Sequence, residues 1–375
     1  MKKYKLIATC AAGIESLVTQ ELRDLGYETQ TDNGRVLFEG NIEDIAKTNI
    51  WLRTADRVKI LVGEFKALTF ESLFDQTYQL AWEDLLAMDA EFPVSGKSIK
   101  SKLHSVPNVQ RIVKKAISKK IMDTYARKTH LPETGALYPI EVSIRKDKVE
   151  LTLDTSGYSL FKRGYRAEKG SAPLKENFAA ALVMLTTWHK DRPLYDPTCG
   201  SGTILIEAAM MGRKIAPGLQ RDFAAEQWMM STDEIWSNAR QEAKAQMDPN
   251  FQMDILGTDI DHRMIDIAKK NAEKAGVADT IQFKQMQLSD YVPDKEFGIL
   301  ISNPPYGDRM LTEDQVHEIY SDMGKIYRPM TTWSKYILTS DENFETYYGE
   351  SATKKRKLYN GAIKVDYYQF WSSKK

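Results

Sequence analysis

The amino-acid sequence predicts an α/β protein whose C-terminal half is a parallel sheet covered by helices on both faces. Three observations predict this architecture. From residue 172 onward, apolar segments of strand length alternate with helical segments, which is the pattern of a parallel sheet. The last two strands, residues 357–359 and 364–370, flank Asn360 and Gly361, a strong signal for a two-residue hairpin. Before residue 155 the strands and helices are shorter, which is typical of a small α+β module.

The N-terminal half is predicted to contain strands, helices and a hairpin in alternation. The strands cover residues 4–9, 35–39 and 57–65, and the helices cover residues 14–25, 42–52 and 72–82. Apolar residues alternate with polar ones on both sides of Lys146 and Asp147, which predicts the hairpin. The segment 156–171 is rich in glycine, serine and charged residues, and we interpret it as a linker.

The C-terminal half is predicted to alternate strands and helices as far as the final hairpin. Its helices cover residues 174–188, 202–211, 233–245, 262–275 and 313–327. Its other strands cover residues 193–195, 255–258, 281–286, 297–301 and 336–339. We therefore expect domains over residues 1–50, 51–155 and 172–375, with the last two joined by the linker 156–171.

Composition limits the classes of protein that fit. A chain of 375 residues is expected to form two or three domains. Its 52 basic and 52 acidic residues balance, so a case for nucleic-acid binding has to rest on local clusters. Two cysteines exclude a disulfide framework, five histidines lack metal-ligand spacing, and no apolar run approaches the ~20 residues that span a bilayer. We expect a cytoplasmic protein without a metal or a membrane contact, a monomer or a weak dimer.

The first motif is Asp-Pro-Thr-Cys-Gly-Ser-Gly-Thr at residues 196–203, which follows a short apolar strand and opens a helix. This is the context of a nucleotide-type loop, in which glycines let the backbone approach a ligand and the helix presents free amides. Asp196 at the strand end suits a ligand with a cationic amino-acid group. The motif lacks a Lys-Ser/Thr pair, which argues against phosphate binding. A plain tight turn is the simpler interpretation of the glycines alone.

Two aspartates, Asp259 and Asp261, end the next predicted strand. A carboxylate at the second strand tip commonly accepts hydrogen bonds from the hydroxyls of a ribose, and we assign this role to Asp259. Asp261 is expected to cap the helix that begins at His262. Either aspartate could serve only as a cap, but the order of the two motifs makes coincidence a weak explanation.

The third motif is Asn303-Pro304-Pro305-Tyr306, which follows the apolar strand 297–301. The two prolines fix the backbone and remove two amide donors, which leaves the Pro304 carbonyl able to accept a hydrogen bond. Together with the Asn303 amide oxygen, it would bind an NH2 group and orient the nitrogen lone pair toward a methyl donor. Tyr306 offers a flat face for an extruded base. A proline-rich turn with an aromatic plug is the alternative interpretation.

These motifs resemble motifs I, II and IV of the amino-group methyltransferases, whose fold is the Rossmann-like class I methyltransferase domain. The resemblance implies S-adenosylmethionine as the cofactor. The implied catalytic residues are Asn303, Pro304, Pro305 and Tyr306. The implied cofactor contacts are Asp196, Pro197, Thr198, Gly200, Gly202, Thr203, Asp259, Ile260, Gln287 and Asn303. Many relatives carry an aspartate where this chain has Gln287, so the adenine contact departs from the family pattern, although Asp290 lies three residues on.

The segment 97–120 is basic and contains no acidic residue, and its helical part carries one apolar face. The basic side chains opposite that face would form a phosphate-contacting surface, although a solvated helix face is the simpler alternative. The residues predicted to contact RNA are Lys97, Lys100, Lys102, Arg111, Lys114, Lys115, Lys119, Arg163 and Arg166.

Residues 45–155 resemble a THUMP domain, an RNA-binding module, preceded by a small ferredoxin-like piece. The segment 160–176 and the sequence Arg-Lys-Leu-Tyr-Asn-Gly at 356–361 are similar to those of THUMP-containing guanine methyltransferases. The chain therefore resembles the bacterial RNA guanine-N2 methyltransferases of the 23S rRNA type, the RlmL-like family. The resemblance implies methyl transfer to the N2 amino group of a guanine in RNA, most directly rRNA. A tRNA guanine methyltransferase, a DNA adenine-N6 methyltransferase and an RNA-binding ribosome assembly factor remain alternatives.

Overall fold

The structure is a computed structural model that describes residues 2–166, 174–291, 293–305 and 312–372. Its backbone forms two compact units. Unit 1 contains the residues up to Cys10, then Val18–Leu160 and Arg221–Glu242. Unit 2 contains Ala11–Leu17, Phe161–Gln220 and the chain from Ala243 onward. The linear domain boundaries expected from the sequence stay a prediction.

Unit 1 is built on a seven-stranded mixed sheet. Its strands are β1 (Tyr4–Thr9), β2 (Gln30–Asp32), β3 (Arg35–Gly40), β4 (Arg57–Lys66), β5 (Val94–Ile99), β6 (Ile140–Arg145) and β7 (Lys148–Asp154), in the order β2-β3-β1-β4-β7-β6-β5. Strands β5 and β6 pair in parallel, and the other neighbours pair antiparallel. The helices of this part of the chain are α1 (Glu15–Asp24), α2 (Ile42–Trp51), α3 (Phe70–Gln79) and α4 (Val106–Thr124).

The structure confirms the predicted hairpin and the predicted helix of the basic segment. Lys146 and Asp147 join β6 to β7 with φ of 51° and 64°, the left-handed conformation that suits the twist of a two-residue hairpin. The apolar face of α4 is buried, and its polar face carries the basic residues. Strand β5 was not predicted, because Val-Ser-Gly-Lys-Ser-Ile lacks the run of β-branched and aromatic residues that marks a strand.

Unit 2 is built on a second seven-stranded sheet. Its strands are β8 (Leu194–Asp196), β9 (Ile255–Asp259), β10 (Ile281–Gln285), β11 (Ile299–Ser302), β12 (Ser334–Thr339), β13 (Lys354–Asn360) and β14 (Ile363–Phe370), in the order β10-β9-β8-β11-β12-β14-β13. The helices after residue 175 are α5 (Glu176–Met184), α6 (Thr203–Gly212), α7 (Asp233–Ala245), α8 (His262–Ala275), α9 (Glu313–Tyr327) and α10 (Phe344–Tyr348).

The topology of this sheet confirms the predicted class. Strands β8 to β12 run parallel, and β14 pairs antiparallel with both β12 and β13. The chain moves outward in one direction through β8, β9 and β10, and then in the other through β11 and β12. Such a reversal opens a crevice at the carboxyl ends of the two central strands, here β8 and β11, and ligands bind there in open α/β sheets.

An aromatic core supports the sheet beside this crevice. The ring of Phe344 in α10 lies 4.9 Å from that of Tyr320 in α9 and 4.8 Å from that of Tyr368 in β14, all three being buried. Each aromatic pair contributes about 0.5–1.5 kcal/mol beyond the burial of its surface. Helix α9 thereby packs against α10, and the hydroxyls of Tyr320 and Thr339, 2.8 Å apart, join it to β12.

Residues 221–242 belong to unit 1 although they lie between strands of the unit 2 sheet in the sequence. Trp228 stacks on Tyr138 with 4.9 Å between ring centroids, and the Met229 amide donates to the Tyr138 hydroxyl at 2.9 Å. Arg240 pairs with Glu226 at 2.6 Å within the segment. Contacts across about ninety residues hold this segment in unit 1, which local sequence patterns do not reveal.

Candidate active site

The predicted motifs meet at the crevice between β8 and β11. The loop after β8 contacts the end of β11 through the hydroxyls of Thr198 and Ser302, 2.8 Å apart. It contacts the end of β9 through the Gly200 amide, which donates to the Asp259 carboxylate at 3.0 Å. The structure therefore brings the three motifs together at one edge of the sheet. Ser302 was not singled out from the sequence; its signal is a polar residue ending an otherwise apolar strand.

Asp196 ends β8 as a buried carboxyl, 1% exposed. Its Oδ1 accepts the Thr198 amide at 3.0 Å. Burial, together with the nearby charge of Asp259, raises the pKa of Asp196 to about 8. An isolated buried carboxylate is unfavourable, so a cation beside it would be strongly stabilised. The site suits the ammonium end of an amino acid.

The two glycines of the loop serve different purposes. Gly200 has φ of +50°, and a Cβ built there would meet no atom within 4 Å, so the space beside its backbone is open to a ligand. Gly202 precedes the first turn of α6 with φ of +78°, and a Cβ there would lie 2.9 Å from the Phe283 ring. Glycine is thus required at 202 by packing and at 200 by backbone conformation. Thr203 begins α6 and is buried.

Asp259 and Asp261 lie in different environments at the end of β9. The Asp259 carboxylate accepts the amides of Gly200 at 3.0 Å and of Asp261 at 2.9 Å, and burial raises its pKa. Asp261 caps α8 by accepting the Arg263 amide at 2.9 Å, which confirms the predicted cap. The exposed Ile260 lies between them, and the exposed Gln287 follows β10, the next strand of the sheet.

Asn303 follows β11, one of the two strands that flank the crevice. Its Oδ1 is buried and has no hydrogen-bond partner among the residues that the structure describes. Pro304 is buried and Pro305 is exposed, while Pro197 lies across the crevice and accepts the Thr258 hydroxyl at 3.4 Å. A buried acceptor without a donor is unfavourable by about 1–3 kcal/mol, so Asn303 is prepared to receive an NH group. The predicted stacking residue Tyr306 lies outside the described residues.

The predicted RNA-contacting residues of unit 1 lie on its surface with different partners. Lys97 pairs with Glu141 at 2.9 Å, and Lys119 pairs with Asp123 at 2.5 Å. Lys114 is half-buried, pairs with Glu133 at 2.6 Å and lies 4.6 Å from the Phe92 ring centroid. The remaining members are exposed: Lys100, Lys102, Arg111 and Lys115.

Arg163 and Arg166 have a different environment in unit 2. Arg163 is 2% exposed and donates to the buried Glu207 carboxylate at 3.3 Å, which also accepts the Tyr165 hydroxyl at 3.1 Å. Arg166 pairs with Glu176 at 3.0 Å. A contact of either guanidinium with RNA stays a prediction that requires its ion pair to open.

Comparisons with known proteins agree with the fold. The model of the RMKL-like methyltransferase domain matches residues 163–369, that of the RlmL ferredoxin-like domain matches residues 5–59, and that of the THUMP domain matches residues 67–154. The fold and the three motifs define a Rossmann-like class I methyltransferase. The chain belongs to the RMKL-like methyltransferase family, and S-adenosylmethionine is its methyl donor.

Relatives cover the whole chain. YpsC of Bacillus subtilis, provisionally named an RNA methyltransferase, is 53% identical over 99% of this chain and 97% of its own length. Ribosomal RNA large subunit methyltransferase K/L of Syntrophotalea carbinolica is 32% identical over 96% of this chain, which spans 52% of that relative.

Solved structures show the same architecture. SMU.472, provisionally described as a methyltransferase and complexed with SAH, has a TM-score of 0.96 at 52% identity, with all of both chains covered. A protein of Listeria monocytogenes, described as a predicted N6-adenine-specific DNA methylase, has a TM-score of 0.95 at 53% identity, covering 100% of this chain and 97% of that one. No helix in the described part of the chain is long and apolar enough to cross a membrane.

Proposed function

We propose that this protein transfers a methyl group from S-adenosylmethionine to the exocyclic N2 amino group of a guanine in RNA, with large-subunit (23S) rRNA as the substrate. The observation that carries the proposal is the buried Asn303 Oδ1, which has no donor among the described residues. An exocyclic amino group is a donor that would satisfy it, and Pro304 adds a carbonyl acceptor beside it.

The residues of the crevice fit the cofactor. S-adenosylmethionine supplies an electrophilic methyl group on a sulfonium. Asp196 would pair with the ammonium of the methionine end, and the open space at Gly200 would admit the ligand next to the backbone. Asp259 would accept the ribose hydroxyls, with Ile260 and Gln287 flanking the adenine. The remaining proposed contacts are Pro197, Thr198, Gly202, Thr203 and Asn303.

The catalytic contribution of the chain is orientation. A guanine amino group is a weak nucleophile because its lone pair is delocalised into the ring. Two acceptors that bind both N–H groups direct the lone pair out of conjugation and toward the methyl group. Tyr306 would stack on the extruded base. A base that acts before the attack is not required, because the product ammonium loses its proton readily.

RNA is proposed as the polymer because a THUMP domain and an exposed basic helix precede the catalytic unit. The THUMP match covers residues 67–154, and it includes α4 with the exposed Arg111, Lys115 and Lys119. The relatives named ribosomal RNA large subunit methyltransferase K/L have ribosomal RNA in their name, and the one from Syntrophotalea carbinolica matches 96% of this chain. We propose domains over residues 1–50, 51–155 and 172–375 and a cytoplasmic location.

Methyl transfer from labelled cofactor to rRNA, tRNA and duplex DNA tests the proposal. We expect label in large-subunit rRNA with the wild-type protein. Asn303→Ala should abolish the transfer, a loss of at least about a hundredfold, because the amino group loses an acceptor that orients it. The cofactor Kd of this variant, measured by calorimetry, should stay within about threefold of wild type, because Asn303 is only one of the proposed cofactor contacts and its main proposed role is to bind the amino group. Label in DNA alone would favour an adenine-N6 DNA methyltransferase, and label in tRNA alone would favour a tRNA guanine methyltransferase. Failure of the wild-type protein to bind the cofactor would favour an RNA-binding assembly factor.

A further inference from the structure

The carboxyl ends of β8 and β11, where the three motifs meet, form what we call the catalytic edge of the sheet. The hairpin formed by β13 and β14 extends past this edge. Ser302 pairs with Ile337 of β12, Ile337 with Tyr368 of β14, and Tyr368 with Lys355 of β13. Along the strand direction, Lys355 is therefore level with Ser302, the last residue of β11, which Asn303 follows. The last pair of β12 and β14 is Thr339 with Asp366.

Beyond that pair the hairpin continues without β12. Three further residues of each strand, at about 3.3 Å per residue, carry it roughly 10 Å past the last pair. Strands β14 and β13 lie two and three strands away from β11, so the sideways distances are about 10 Å and about 14 Å. We call residues 357–364 the hairpin arm. It stands beside the position of the target base and within reach of the neighbouring nucleotides.

The hairpin carries a concentration of positive charge. Strand β13 contains the consecutive residues Lys354, Lys355, Arg356 and Lys357. Two of these side chains are used by the fold. Lys355 lies 3.4 Å from the buried Asp366 carboxylate and 4.8 Å from the Tyr368 ring, and Arg356 donates to the Gly13 carbonyl at 2.7 Å.

Two lysines of the arm remain available to a ligand. Lys357 is exposed, lies 5.5 Å from the Tyr359 ring centroid and forms no ion pair with a carboxylate of the described residues. Lys364 pairs with Glu342 at 2.9 Å, but their side chains are 46% and 73% exposed, so the pair is weak and can exchange for a phosphate. Half-buried Tyr359, the cross-strand partner of Lys364 on the same face as Lys357, adds apolar surface between them.

We propose that Lys357 and Lys364 of the hairpin arm bind the RNA backbone beside the target nucleotide and so hold the substrate at the catalytic edge. This inference rests on the proposed function, because it takes RNA as the substrate. It adds a contact on the catalytic unit to those proposed for α4. The competing explanation is that Lys357 on β13, the edge strand, prevents pairing with other sheets, and that Lys364 on β14 only forms a surface ion pair with Glu342.

Charge reversal separates the two explanations, because a glutamate also protects an edge strand but repels a phosphate. The variant is Lys357→Glu/Lys364→Glu in the full-length protein, and the probe is an unmodified transcript of large-subunit rRNA. We expect RNA affinity about tenfold weaker, and a slope of log affinity against log salt reduced by about 1.4, at 0.7 per contact on a single strand. The variant Lys357→Arg/Lys364→Arg keeps the positive charges and should have the RNA affinity and the salt slope of the wild-type protein.

Lys354→Glu is the matched control, since Lys354 is exposed on the same strand but lies below the catalytic edge. It should change affinity less than threefold. Cofactor Kd and Tm report folding in every variant, and Lys357→Ala/Lys364→Ala replaces the reversed pair if that pair is unfolded. Unchanged affinity and salt slope in the arm variants, or an equal loss in Lys354→Glu, would overturn the inference. Wild-type protein that binds RNA through the arm yet forms no methylguanosine would overturn the proposed function alone.

Discussion

The proton on Asp196 gives a sharp test of how this site binds its cofactor. Burial and the charge of Asp259 raise the pKa of this carboxyl to about 8. At pH 7 about nine-tenths of the unliganded protein therefore holds the proton. An ammonium group beside Asp196 favours the carboxylate and lowers its pKa. Cofactor binding at pH 7 is expected to release close to one proton.

The magnitude follows from the distance between the pKa and the pH. Ionising Asp196 costs about 2.7 kcal/mol at pH 6 and about 1.4 kcal/mol at pH 7. Cofactor affinity should therefore rise nearly tenfold as the pH is raised from 6 to 7. Asp196→Asn should bind the cofactor more weakly, and its affinity should hardly depend on pH in this range. Asp261→Asn is the control, because Arg263 holds the pKa of Asp261 at about 2, far below the range.

Calorimetry in two buffers with different ionisation enthalpies measures the released protons. The dependence of the observed enthalpy on the buffer enthalpy should give about 0.9 protons at pH 7 for wild type and for Asp261→Asn. Asp196→Asn should give a clearly smaller number. Equal proton release from wild type and Asp196→Asn would refute the assignment of Asp196 to the ammonium.

Three further predictions concern stability and RNA binding. Gly202→Ala should lower the free energy of unfolding by about 2 kcal/mol in a urea titration, because its Cβ would lie 2.9 Å from the Phe283 ring. Gly276→Ala is the control, since Gly276 has a similar φ of +73° and a Cβ there would meet no atom within 4 Å. It should lower the free energy of unfolding by about 1 kcal/mol. Equal losses would show that Phe283 gives way. Glu207→Gln should destabilise by about 3 kcal/mol, because it leaves the buried Arg163 without its carboxylate, and an unchanged Tm would contradict this. Lys115→Glu/Lys119→Glu should weaken rRNA binding about tenfold without altering cofactor Kd, and a filter-binding assay that finds no loss would favour the solvated-face interpretation of α4.

Local patterns predicted most of unit 2 because its strands and helices are long, apolar on the inward side and clearly capped. Helices α8 and α9 begin and end where the sequence predicts, and Asp261 and Thr312 cap them. Strand β5 and the short α10 escaped prediction. The first lacks apolar alternation, and the second is a single turn held by aromatic packing rather than by its own periodicity.

The meeting of the three motifs was predictable from the sequence because their residues end or follow strands. Asp196, Asp259 and Asn303 each end or follow a strand, and parallel strands place such residues together. Two structural features depend on contacts with residues far away in the sequence, so local sequence patterns could not predict them. Arg163 is buried because Glu207 lies beside it, and residues 221–242 join unit 1 through contacts such as that of Trp228 with Tyr138.

The identity of the methylated nucleoside decides whether the enzyme modifies guanine N2 in RNA or adenine N6 in DNA. Large-subunit rRNA from cells that lack this protein would be incubated with the purified enzyme and S-adenosylmethionine, digested to nucleosides and analysed by mass spectrometry, with duplex DNA treated in parallel. We expect N2-methylguanosine in the RNA with the wild-type protein and none with Asn303→Ala. N6-methyladenine in the DNA, with unmodified RNA, would contradict it.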